Sequence, residues 1–305
     1  MKWDMPTPEA LLRRLALPEG RIRMVLDTDT YNEVDDQFAL CYALLSPEKL
    51  DVQAVYAAPF YNDRSSGPRD GMEKSYDEIV RLLGKLGRAT DGFVFKGSER
   101  YMQSADDAVD SPAARDLIAR ARAMGEGETL YVAAIGAITN VASALVMAPE
   151  IREKIAVVWL GGQPHSYPTA REFNLSGDVV ASRVLFDCGV PLIQVPCQGV
   201  ASHLLATVPE LEAFLKGHNP ACDALVELFA AYADDPFAWA KEIWDVSVIG
   251  FLVNPAWTRS AIVPAPILSL ESNYSHDPSR HFMREVQWLN RNAIFRDMYA
   301  KLRKG

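Results

Sequence analysis

The stretch "VLDTDTYNEVDDQFAL" (residues 25–40) sets five acidic residues, Asp27, Asp29, Glu33, Asp35 and Asp36, within ten positions directly behind an apolar run. Upstream, "IRMVLDT" (22–28) is apolar enough for a buried strand, and downstream the apolar residues adopt a helical period over 35–46. Further strands are predicted at 51–58, 129–136, 154–162 and 191–197, and helices at 67–86, 110–124, 139–147 and 177–188. Strand and helix in alternation imply a mostly parallel sheet covered on both faces, a doubly wound, Rossmann-like α/β fold. Ligand sites of such sheets lie beyond the carboxyl ends of the strands, where the acidic run falls.

Working outward, the last third reads as more helical. Residues 222–253 form a long candidate helical region and 285–303 a closing helix, while 58–71 and 271–281 are the longest loops and candidate lids. No Gly/Ser linker or internal repeat divides the chain, so residues 1–305 are expected to form a single domain.

Composition narrows the function. With 49% hydrophobic and 23% charged residues, the chain can bury a large core. A formal charge of −9 without clustered Lys or Arg argues against a nucleic-acid partner. Neither a signal peptide nor a membrane span is evident, and Cys41, Cys188, Cys197 and Cys222 lack CxxC spacing. They read as reduced, mostly buried thiols of a cytoplasmic protein that acts on small molecules.

Four aspartates leaving a strand end for a helix raise one another's pKa unless a cation compensates them. A hard divalent metal such as Ca²⁺, which takes six to eight oxygen ligands, is the simplest compensation. The plainer reading is that Asp35 and Asp36 favour a helix N-terminus capped by Asp29. D-x-D after a strand also opens phosphotransferases of the haloacid-dehalogenase type. That reading would make Asp27 a nucleophile, but the downstream lysine and second acidic motif it needs are not evident.

Further segments, "AAIGAITNVASAL", "VVWLGG", "REFNLSGDVVASRVLF" and "EIWDVSVIGFLVNP", follow the acidic run in an order that resembles the nucleoside hydrolase family, the inosine/uridine-preferring and purine-specific N-ribohydrolases. The resemblance runs from about residue 22 to the end. It implies the nucleoside hydrolase fold, one Ca²⁺ and a ribonucleoside substrate, in a cytoplasmic homodimer or homotetramer. By matching positions, Asp29 is the metal ligand and base that takes a proton from water. Asp36, Asp245 and the Ile135 carbonyl complete the ligands. Asp35 holds the ribose 2′-hydroxyl, Glu172 and Asn174 hold the 5′- and 3′-hydroxyls, and Asp27 supports the site.

Such a set suits cleavage through an oxocarbenium-like transition state, which nearby carboxylates stabilise. Each segment also has a plainer explanation. Thr139 or Asn140 could serve only as a helix cap, "REFN" could be a polar turn, and Asp245 could pair with Lys241 at i, i+4 on a helix surface.

The pattern departs from the family at three places. Five residues, "TYNEV", separate Asp29 from Asp35 where the usual motif has three, so Asn32 and Glu33 enter the site mouth as added candidates for substrate contact. Related sequences with "NEVDD" include proteins described as sugar-binding, so a non-catalytic sugar or nucleoside binder is the main alternative. Trp244, standing before Asp245 where some members carry a histidine, cannot act as an acid and instead resembles the base-stacking tryptophan of the purine-specific group. Tyr101 or Tyr31 could supply a second aromatic wall. The family's asparagine after the Gly-Gly turn is not evident, and His165 is the nearby candidate to replace it or to act as an acid.

Overall fold

In the computed structural model, which describes residues 3–305, Ile22–Thr28 forms a strand (β1) whose last five residues are fully buried. It pairs in parallel with Leu50–Ala57 (β2) on one side and Leu130–Ala134 (β4) on the other. Val94–Lys96 (β3), Ile155–Leu160 (β5) and Leu192–Val195 (β6) continue the sheet in the order β3-β2-β1-β4-β5-β6. Two later strands complete eight: Phe282–Leu289 runs parallel to β6, and Thr258–Pro264 closes the edge antiparallel to it. The chain therefore winds outward from β1 through β2 and β3, then returns to β1 and winds the other way from β4. The reversal lies between β1 and β4, and this is where a doubly wound sheet opens a crevice for ligands.

Two helices carry the acidic residues to that crevice. Asp35–Leu44 is buried at all ten positions and Val246–Val253 at all eight, so neither shows a polar face, and they pack against each other. Such all-round burial belongs to a core helix rather than a surface one. Arg291–Leu302 packs on the outer side of Asp35–Leu44.

The predicted strands and helices up to residue 188 agree with the structure to within a few residues, and 22–28 and 139–147 coincide with it. Beyond that, two expectations are corrected. Residues 222–253 are not one helical region: Pro220–Ala230 ends before "ADDPFA", Lys241–Glu242 pairs as a short strand with Leu205–Ala206, and a new helix starts at Val246. Residues 285–303 begin with the last five residues of a strand, Phe282–Leu289, and only Arg291–Leu302 is helical. All four cysteines are unpaired and buried. Among the described residues no helix is long and apolar enough to cross a membrane.

Candidate active site

A cavity of about 470 Å³ opens at the carboxyl ends of β1, β4 and β5, within the usual range for small-molecule pockets. Asp29 follows β1 directly, Ile135 follows β4, and Leu160 ends β5; all three line it.

Asp35, Asp36 and Asp245 bring carboxylate oxygens within 4.8 Å of one another, all buried. Asp35 and Asp36 open one buried helix and Asp245 stands at the N-cap of the other. Two helix N-termini thus aim their positive dipole ends at the cluster, which eases but does not cancel the crowding of charge. The remaining crowding is visible in the acidities. Burial, and after it neighbouring carboxylates, raise Asp29 and Asp245 well above the ordinary range. Burial and the negative Glu33 do the same for Asp35, against a lowering by Lys241. Burial pushes Asp36 to about 7 although the Thr28 hydroxyl donates to it at 2.5 Å.

Asp29 is the informative member. Both of its carboxylate oxygens are buried and have no hydrogen-bond partner. A buried unpaired carboxylate is costly unless a cation or a ligand donor meets it. Gly136 makes its room: a Cβ there would stand 3.0 Å from Asp29 Cγ and 3.1 Å from Ala58 Cβ. An all-oxygen donor set with two orphaned oxygens fits a hard divalent cation. The three-carboxylate cluster itself contains Asp35 in place of Asp29, which the sequence assigned to the ligand set.

Asp27 lies one layer deeper. Its Oδ1 accepts from Asn140 Nδ2 at 2.7 Å, its Oδ2 has no partner, and burial raises its pKa to about 7. Asn140 also donates to the Ala57 carbonyl at 3.3 Å and accepts from the Ser98 amide and hydroxyl, so it joins the ends of β1, β2 and β3 rather than merely capping its helix.

Glu172 and Asn174 line the cavity, Glu172 as the N-cap of a short helix, Phe173–Gly177, and Asn174 within its first turn. The Glu172 carboxylate accepts from the backbone N–H groups of Gly162, Asn174 and Leu175 at 2.8–3.0 Å, so it braces the turn while facing the cavity. Asn174 Nδ2 donates to the carbonyls of Leu160, at 3.0 Å, and Ile135, at 3.3 Å. The Ile135 carbonyl expected to meet a metal is therefore already in contact with a side chain expected to meet the sugar.

Asn32 is buried at the cavity wall and accepts from Asn62 Nδ2 at 2.7 Å, tying the acidic run to the 58–67 loop. Glu33 pairs with Lys241 at 3.1 Å. That pair disposes of the helix-surface role for Asp245, since Lys241 sits on a strand and Asp245 is buried. Trp244 is half-buried and lines the cavity.

His165 is not among the lining residues. Its ring bonds Gln194 Oε1 at 2.8 Å and packs edge-on to Tyr274, and its backbone N–H reaches Glu285, so it is held behind the Gly161-Gly162 turn. Burial lowers its pKa, which opposes a role as an acid. Gln163, next after the Gly-Gly pair, lines the cavity instead. Neither Tyr31 nor Tyr101 lines it; Tyr232 and Phe173 are the further aromatic residues that do. Asn62, Asp63 and Arg64 come from the first predicted lid, whereas 271–281 contributes none. Sequence periodicity had no means of finding these loop residues, though the polar cluster "YNDR" marked the segment.

The profile of the inosine-uridine preferring nucleoside hydrolases matches residues 24–268, most of the chain and every acidic residue of the cavity. The chain belongs to that family. Its sequence relatives include the pyrimidine-specific ribonucleoside hydrolase RihA of Klebsiella pneumoniae, 29% identical over 271 residues that cover 79% of this chain and 81% of the relative. RihA of an Escherichia coli O81 strain is 28% identical over the same shares. Among solved structures, the purine-preferring ribonucleoside hydrolase of Gardnerella vaginalis superposes with a TM-score of 0.72 at 20% identity, over 92% of this chain and 98% of that one. The inosine-uridine preferring nucleoside hydrolase of Bacillus anthracis gives 0.71 at 18%, over 93% and all of its chain. At those identities the structural likeness establishes the nucleoside hydrolase fold.

Proposed function

We propose that the chain hydrolyses the N-glycosidic bond of purine ribonucleosides in a Ca²⁺-dependent reaction, releasing ribose and the free base. The observation that carries this reading is the unpartnered, buried Asp29 carboxylate beside the Asp35, Asp36 and Asp245 cluster at the sheet's reversal. Asp29, Asp36, Asp245 and the Ile135 carbonyl would hold the ion. When bound, it supplies positive charge against the crowded carboxylates and acidifies a water for attack.

Asp29 takes the proton of the attacking water as oxygen approaches the anomeric carbon, a task suited to a carboxylate with free lone pairs. Asp35 accepts from the ribose 2′-hydroxyl, and Glu172 and Asn174 hold the 5′- and 3′-hydroxyls. Fixing the ring over the water removes most of the orientational part of the barrier. The negative wall stabilises the cationic sugar as the bond to the base breaks. Asn32 holds the cavity wall through Asn62, and Asp27 anchors β1 through Asn140. Trp244, which lines the cavity, offers an indole face to the base. Stacking of this kind contributes about 1–3 kcal/mol per base.

The test is ribose released from purine and pyrimidine ribonucleosides, with Ca²⁺ and after chelation. Metal-dependent release from purines at the higher kcat/KM is expected. Faster release from uridine or cytidine would align the chain with its pyrimidine-specific relatives. Ca²⁺ binding without release from any nucleoside would mark a sugar- or nucleoside-binding protein.

A further inference from the structure

Seven acidic residues line the cavity, and among the described residues one cationic side chain lines it with them, Arg64. Arg64 forms no ion pair among the described residues; Glu33, on the same wall, is taken by Lys241. Its guanidinium is held by aromatics instead. The central carbon lies 4.5 Å from the Tyr31 ring centroid and 5.6 Å from that of Tyr232, and Nη1 donates to the Tyr232 hydroxyl. The backbone is pinned as well: Asn62 Oδ1 accepts from the Arg64 N–H at 2.9 Å, and Lys74 Nζ donates to the Arg64 carbonyl at 2.8 Å. Contacts of this kind fix the plane of the group while leaving its donors available.

With Nη1 committed to Tyr232, the Nε and Nη2 edge has no protein acceptor among the described residues. That edge is a fork of two parallel N–H donors, and it matches two acceptors set side by side. We propose that Arg64 is a specificity residue that reads the O6 and N7 edge of a 6-oxopurine base, so that the chain prefers inosine- and guanosine-type ribonucleosides over adenosine. The inference rests on the ribonucleoside hydrolase reading above.

The chemistry discriminates sharply. A 6-oxopurine presents O6 and N7 as adjacent acceptors, the pair that arginine bonds most often in nucleic acids. Adenine presents an amino donor beside N7, and a guanidinium has only donors to offer it. Uracil offers O4 without a neighbouring acceptor. As the C1′–N9 bond breaks, its electron pair passes to the base and spreads onto N7 and O6. Hydrogen bonds from Arg64 to those atoms strengthen as charge arrives, so the contact assists departure as well as selection. Water supplies hydroxide to C1′, and its proton passes through Asp29 to solvent or to the departing base; Arg64 keeps its protons throughout.

A panel of five ribosides and two variants test this. The wild type should favour inosine and guanosine over adenosine and uridine by at least about tenfold in kcat/KM. Arg64→Met should cut the oxopurine values about 10- to 100-fold and alter adenosine by less than about threefold. Hydrolysis of 4-nitrophenyl riboside, whose leaving group is already stable and lacks both acceptors, should be unchanged. Arg64→Lys, which keeps the charge but not the fork, should fall between. Thermal melts report folding of both variants. Equal loss on the oxopurine ribosides, adenosine and nitrophenyl riboside, or no loss on inosine, overturns the assignment. A wild type that cleaves nitrophenyl riboside but shows no oxopurine preference overturns it while the hydrolase reading stands. A wild type inactive on every riboside brings both down.

Discussion

The backbone N–H of Asp245 points at the Asp35 carboxylate, 3.4 Å from Oδ2, although the two residues lie 210 positions apart. Two helix starts are thereby fused into one acidic pocket, and the charge within it dictates how the protein should respond to metal. Ca²⁺ should raise the thermal midpoint of the wild type, by the equivalent of about 2.7 kcal/mol at a hundred times the dissociation constant. Asp245→Asn should lose most of that increment and bind Ca²⁺ more weakly in the calorimeter. An unchanged increment in the variant would place the ion elsewhere.

Asp29→Asn should reduce turnover by about 10²–10⁴-fold, the ordinary worth of a positioned base. The fold should survive, because neither carboxylate oxygen makes a hydrogen bond that the substitution would break. Ribose release and a melting curve on the same sample separate the two effects. Turnover near the wild-type value would remove Asp29 as the base.

Gly136→Ala probes the same carboxylate from behind. Its Cβ would stand 3.0 Å from Asp29 Cγ and 3.1 Å from Ala58 Cβ, closer than nearly all such contacts, so one of the two side chains must give by a few tenths of an ångström. A displacement of about 1 Å in a reacting constellation costs up to about 10²-fold, and a shift of a few tenths of an ångström costs correspondingly less. We expect kcat to fall by a few-fold up to about tenfold with a small change in melting temperature. A large melting change with normal kcat would show that Ala58 yields instead.

Asp27 predicts a pH effect in the metal-free protein. Its folded pKa is pushed up to about 7 from 3.8 by burial, so between these values the folded chain holds a proton that the unfolded chain has released. The stabilisation is full below pH 4 and is lost as pH rises through about 7, on the order of 4 kcal/mol in all. Asp27→Asn should therefore make stability fall less steeply between pH 5 and pH 8, since Asp36 still titrates there. Urea denaturation at several pH values reads this directly, and parallel slopes for both proteins would contradict it.

Trp244→Ala should lower kcat/KM for purine ribonucleosides by about 5- to 150-fold if the indole stacks on the base, with Trp244→Phe recovering much of the loss. Equal behaviour of the Ala and Phe variants would assign the ring to packing.

The parts of the fold that were legible are those where local pattern and tertiary position agree. β1 and the Thr139–Met147 helix lie in the middle of the sheet and its cover, where continuous apolar runs and helical period have one outcome each. Phe282–Leu289 was not legible because its burial does not alternate cleanly; it is a strand through pairing with β6 and Thr258–Pro264, which sequence alone does not display. The acidic residues of the cavity could be named because the motif places them at element ends. Arg64, Gln163 and Tyr232 could not, since loops carry them and only the packing of neighbouring elements brings them to one wall. His165 misled for the same reason: proximity to the Gly-Gly turn in sequence left open which side of the turn it would occupy.

The two late strands and the Arg291–Leu302 helix also bear on the order in which the molecule can be assembled. Asp35–Leu44, buried on every side, needs Val246–Val253 against one flank and Arg291–Leu302 against another before it is shielded from water. A growing chain emerges from its amino end, so this early helix waits through most of synthesis for its late neighbours. Its aspartates stay hydrated during that wait and meet Asp245 only at the close. The cost of crowding like charges is thus deferred to the final docking of the carboxyl-terminal third, and nascent chains halted short of it should present this helix to chaperones.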